Sequence, residues 1–94
     1  MPKYRVAHVK KQGHDLIIFP LDPKFGQLSG TDQDRELRVL GAQANQAGLK
    51  GAPVAVWDAG YGRSGFRGPA LYYNILSEIN LQFVMANVNR EISW

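Results

Sequence analysis

The residues best suited to chemistry stand in one run, Asp58-Ala59-Gly60-Tyr61-Gly62-Arg63-Ser64-Gly65-Phe66-Arg67-Gly68. Four of the chain's ten glycines fall here, with two arginines, two aromatics, a serine and one acid. The run follows the apolar stretch Pro53-Val54-Ala55-Val56-Trp57 and precedes Pro69, where a helix is expected to open. A glycine-rich turn between a buried strand and a helix N-terminus lets a backbone approach an anion or a base closely.

Three chemistries fit these residue types. In the first, backbone N–H groups of Gly65 to Gly68 hold a phosphate or carboxylate that Arg63 or Arg67 completes. In the second, Arg63 and Arg67 neutralise the phosphates of single-stranded nucleic acid while Tyr61 and Phe66 stack on its bases. Lys3, Arg5, Lys10 and Lys11 would extend that basic surface. In the third, Asp58 is a general acid or base, being the carboxylate best placed at a strand end. The plain alternative is a surface connection whose glycines only permit a sharp path, with Asp58 capping nearby N–H groups.

Several sharper motifs fail. Gly60-Tyr61-Gly62-Arg63-Ser64-Gly65 matches the G-x-G-x-x-G dinucleotide fingerprint letter for letter. However, the expected helix opens four residues too late. The acid at the required distance, Glu78, lies on that helix instead of after a strand, and the chain is short for a two-lobed dinucleotide domain. No cofactor is therefore expected. Ser64 has no histidine base near it in sequence, and its surroundings are not the G-x-S-x-G elbow. Arg67-Gly68-Pro69 breaks the RNA-recognition strand motif.

The two histidines depend on hairpin register. A three-residue loop Lys11-Gln12-Gly13 would set Lys10 opposite His14 and place His8 and His14 diagonally on one face. A two-residue loop would put them on opposite faces; even on one face no third ligand is evident, and no metal site is expected.

The elements that must position these groups are legible from periodicity. Residues 4–9 read as a strand with basic residues interleaved. Residues 14–19 read as a second strand, and Leu16-Ile17-Ile18-Phe19 is continuously apolar, as in a strand covered on both faces. A helix is expected from Thr31, with Asp32 and Asp34 at its positive end, a stripe of Leu37, Leu40, Ala44 and Ala47, and left-handed Gly48 at its close. Residues 53–57 form the next strand. A second helix is expected over residues 69–79 on Leu71, Tyr72, Ile75, Leu76 and Ile79. Leu81 to Ala86 reads as a strand, residues 87–89 as a turn, and residues 90–94 as a final strand. Trp57, Phe19, Phe83 and Met85 are expected in the core.

The order ββαβαββ describes an α+β fold, a two-layer sandwich with a mixed sheet of four to five strands and two helices on one face. Strands apolar at consecutive positions then need cover on the other face as well; a homodimer packed sheet to sheet is the simplest source, and the N- or C-terminal segment folding over is the alternative.

Ninety-four residues suffice for one domain, residues 1–94, burying roughly 65% of the unfolded surface. A net charge of +3 is below what a dedicated duplex-DNA binder of this size tends to carry. The absence of cysteine excludes disulfides, thiolate metal sites and a cysteine nucleophile. Neither a signal peptide nor a membrane span is expected, which points to the cytoplasm. These features favour a small binding module using the 58–68 segment for an anionic or aromatic ligand. A small enzyme using Asp58 and a protein-interaction subunit acting through an exposed sheet face are the alternatives.

Overall fold

The computed structural model describes residues 3–69, 72–77 and 79–93. Strands β1 (Lys3–Lys11) and β2 (His14–Leu21) form a hairpin, followed by a 3-10 helix (Pro23–Gln27) and helix α1 (Gly30–Gln46). Strands β3 (Ala52–Gly60) and β4 (Arg63–Arg67) come next, then the short helices α2 (Tyr73–Leu76) and α3 (Leu81–Ala86), and finally β5 (Arg90–Ser93). One five-stranded sheet results, in the order β4-β3-β2-β1-β5. Only β2 and β3 run parallel, joined through α1; every other neighbouring pair is antiparallel. The α+β class and the mixed sheet are as the sequence leads one to expect.

The layers differ from expectation. Along β2, Ile17 and Phe19 enter one cluster with Leu37, Leu40 and Ala44 of α1. Leu16 and Ile18 enter a second cluster with Ile75, Leu76 and Val84 of α2 and α3. Helices therefore lie on both faces, in place of two helices on one. The consecutive apolar positions are explained by burial on both sides, and the second face is covered by the chain's own C-terminal segment, the alternative to cover by a partner. The cause lies after β3. A two-residue turn returns the chain antiparallel into β4, so no second parallel crossover forms, and the rule that would hold both helices on one face does not apply.

Leu81–Ala86 is helical where a strand was expected. A short apolar run does not distinguish the two by periodicity. Here the first turn is held from outside: the Phe83 N–H donates to Asn80 Oδ1 at 2.7 Å, and the Leu81 N–H donates to Ser64 Oγ at 2.9 Å. Val84 is fully buried and Phe83 half-buried, whereas Met85, expected in the core, is exposed. The second expected helix is reduced to Tyr73–Leu76; Leu71 and Glu78 lie outside the described residues, as does Trp94.

The β1–β2 turn is one residue shorter than expected. Gln12 (φ 51°) and Gly13 (φ 80°) both take the left-handed conformation of a two-residue hairpin turn, and Lys11 pairs with His14. The two histidines consequently face opposite ways. His8 Nε2 lies 2.8 Å from the Lys50 carbonyl, while the His14 ring packs on Tyr72 at 4.9 Å. At the other edge of β1, Asn89 continues the pairing with its side chain: Oδ1 accepts from the His8 N–H and Nδ2 donates to the His8 carbonyl, both at 2.9 Å.

Helix α1 starts at Gly30, one residue before Thr31, and is capped by Ser29, whose Oγ accepts from the Asp32 N–H at 3.2 Å. Its end is as expected. Gly48 (φ 91°) donates to Asn45, and the Leu49 N–H donates to the Ala44 carbonyl at 3.0 Å, folding Leu49 into the core. Buried Gln33 donates to the Phe25 carbonyl at 2.9 Å and ties the 3-10 helix to α1. Among the described residues, no helix is long and apolar enough to cross a membrane.

Candidate ligand site

The 58–68 segment is a β-hairpin instead of a strand-to-helix loop. Asp58, Ala59 and Gly60 complete β3, Tyr61-Gly62 is the turn, and Arg63 to Arg67 form β4. Tyr61 (φ 55°) and Gly62 (φ 74°) are both left-handed, the two-residue geometry that matches strand twist. Asp58 pairs with Ser64 and Gly60 with Arg63, so Ala59 is an extra, bulged residue. Asp58 Oδ1 accepts from the Gly60 N–H at 2.8 Å and pins that bulge. The G-x-G-x-x-G letters therefore serve a hairpin, without the strand–turn–helix context the fingerprint requires.

The candidate residues are distributed by strand alternation. Gly65 and Arg67 face α1, whereas Ser64 and Phe66 face α2 and α3. Ser64 caps α3, and Phe66 meets Tyr73 edge-on at 5.6 Å within the second cluster. Arg67 forms a bidentate pair with Asp34 of α1, with Nε to Oδ1 at 2.6 Å and Nη2 to Oδ2 at 3.1 Å. This hydrogen bonding holds the Asp34 carboxyl below its usual range and raises the Arg67 guanidinium further. Gly68 packs under Val54 and Leu76. That leaves Tyr61, fully exposed at the tip, with exposed Arg63 on one strand and exposed Asp58 and Ala59 on the other, as the side chains the hairpin presents to solvent.

Gly65 has a structural task. A Cβ there would lie 2.4 Å from Trp57 Cε2, and one at Gly26 would lie 2.3 Å from Trp57 Nε1. The indole is slotted between these two glycines and packs against Phe25 at 5.1 Å. Trp57 is thus only half-buried, lying at the edge of the core.

Two clefts flank the hairpin. The larger, about 410 Å³, is lined by Pro23, Gly26, Gln27, Trp57, Asp58, Ala59 and Gly60. The smaller, about 210 Å³, includes Asp58, Arg63, Ser64, Asn80 and Gln82. Both lie at the carboxyl end of β3. The larger opens where the parallel strands β2 and β3 diverge, one connection leading to the 3-10 helix and α1, the other into the hairpin and on to the opposite face. In open α/β sheets, ligands bind outside the carboxyl ends of parallel strands whose connections diverge, and the single parallel pair β2–β3 presents the same local geometry. The sequence located the Asp58 to Gly60 wall of this cleft. It gave no reason to look at Pro23, Gly26 and Gln27, and it assigned Trp57 to the core.

Comparison of the chain with protein-family models, with curated proteins and with solved structures returned no match.

Proposed function

We propose that this protein is a non-enzymatic binding module whose ligand enters the cleft between the 3-10 helix and the 58–68 hairpin. The observation that carries this reading is Trp57. Its indole lines the cleft, slotted between Gly26 and Gly65, and its Nε1–H has no protein acceptor among the described residues. An indole in contact with the core that keeps a donor available suits a planar ligand with a hydrogen-bond acceptor. The volume of about 410 Å³ falls within the range usual for small-ligand sites.

The charge of the cleft shapes the ligand. Asp58 is the single charged residue among those lining it, and Arg67 is engaged by Asp34. An uncharged or cationic planar group fits this lining better than an anion.

The test is a heteronuclear NMR titration of the Trp94→Phe variant, which leaves Trp57 as the sole indole. Benzamide and inorganic phosphate are the probes. Shifts with benzamide centred on the Trp57 indole N–H and on the Ala59 and Gly60 amides support the site. Phosphate shifts centred on Arg63, with none from benzamide, would replace it with an anion site.

A further inference from the structure

We infer that the occupant of this cleft is an extended peptide that adds as a short strand beside β3 at residues 58–60, its residues alternating apolar and basic. This rests on the ligand-site reading above and names the class of partner.

The argument begins from the register. Strand β2 accompanies β3 only to the pair Leu21↔Trp57, and the chain then turns away at Asp22 into the 3-10 helix. Strand β3 runs three residues further, to Gly60. On its other side, Ala59 is bulged, so no residue of β4 stands opposite it. Ala59 is therefore a strand residue paired with neither neighbouring strand. The Gly60 N–H is taken by Asp58 Oδ1; beyond the Leu21↔Trp57 pair, no strand accompanies residues 58–60 on the β2 side, and among the described residues no turn or loop backbone bond reaches them. Backbone groups left in this way are the substrate of strand addition. Three residues of strand span roughly 10 Å, so a peptide of three to four residues fills the notch.

The walls make this edge different from the other two. The outer edges of β4 and β5 carry charged residues, Arg63 and Arg67 on one and Arg90 and Glu91 on the other, a common guard against edge pairing. The notch instead is concave, bounded by Pro23, Gly26 and Gln27.

Alternation then sets the pattern of the peptide. Trp57 belongs to the face covered by α1, and Asp58, one residue on, borders the smaller cleft with Asn80 and Gln82 on the other face. Successive side chains of an added strand point to these two sides in turn. One set meets the indole and Pro23. The other meets the Asp58 carboxylate, whose Oδ1 alone is engaged by the backbone.

The probe is a capped pentapeptide alternating lysine and phenylalanine, compared with its glutamate-for-lysine counterpart, with binding followed by NMR on the Trp94→Phe variant. Saturable shifts at residues 57–60 are expected with the lysine peptide and not with the glutamate one. Asp58→Asn keeps the acceptor for the Gly60 N–H and should weaken binding about tenfold. N-methylation of alternate peptide amides should abolish binding at every second position only, and exchange of the Ala59 amide should slow in the complex. Equal binding of the glutamate peptide, or a methylation profile without two-residue periodicity, overturns strand addition. If benzamide still shifts Trp57 while the lysine peptide does not bind, the peptide inference falls and the ligand site stands. If neither probe acts there, both fall.

Discussion

Arg67 at the free edge of the sheet and Asp34 in the second turn of α1 form a two-point clamp, with distances of 2.6 and 3.1 Å across 33 positions of sequence. The clamp fixes β4 against α1, and β4 in turn carries Gly65 against the Trp57 indole. The arginine that looks most like an anion ligand in the sequence is thus part of the scaffold of the cleft.

The clamp predicts an acid-dependent stability. The Asp34 carboxyl is lowered in the folded protein, so its contribution is complete above the unfolded carboxylate pKa of about 3.9 and is lost as pH falls through the lower folded value. Asp34→Asn should therefore melt below the parent protein at pH 7, and the gap should close as both are brought towards pH 2. Because the pair is solvent-exposed, the gap at pH 7 should also shrink in high salt. A gap independent of pH and salt, measured by thermal denaturation, would assign the effect to packing instead.

The slot around Trp57 predicts a size limit at Gly65. Gly65→Ala places a methyl group 2.4 Å from Cε2 and should cost about 1–3 kcal/mol by overpacking. Trp57→Phe in the same background should recover part of that loss, giving a coupling term in a double-mutant cycle of chemical unfolding. Independent effects would show that the indole does not fill the space above Gly65.

The capping of α3 predicts a structural role for Ser64. Ser64→Ala removes the acceptor for the Leu81 N–H, and Asn80→Ala removes that for Phe83. Each should cost about 0.5–2 kcal/mol. Amide exchange at Leu81 and Phe83 should accelerate in the respective variants while exchange in β2 follows global stability.

The hairpin tip predicts a trade between stability and binding. Tyr61 sits at φ 55° with its side chain fully exposed, a conformation that asparagine tolerates better. Tyr61→Asn should raise stability by up to about 1 kcal/mol. If the tip helps hold a ligand, the variant should also weaken benzamide or peptide binding. A more stable variant with unchanged affinity would confine Tyr61 to the turn.

Much of this was legible in the residues because the signals were local. Gly48 followed by Leu49 marks the end of α1 through bonds that span five residues, and Leu16 to Phe19 declares burial on both faces by lacking any polar alternation. Leu81 to Ala86 was not legible, because a six-residue apolar run serves strand and helix alike. Its first turn is held both by the adjacent cap Asn80, a local signal in the sequence, and by a hydroxyl 17 positions away, which is not. The same holds for the candidate site. Its glycines, tyrosine and arginines were visible as a cluster, but composition does not state whether such a cluster is a loop or a hairpin.

The sequence by itself determined an α+β chain with a doubly buried central sheet, because alternation and helix capping act over a few residues. The tertiary structure alone decided that α2 and α3 close the second face, that Arg67 belongs to Asp34, and that β2 stops short of β3 to leave a notch beside Trp57. Those outcomes depend on register and on contacts between distant segments, where the same side chain has several possible partners and packing selects among them.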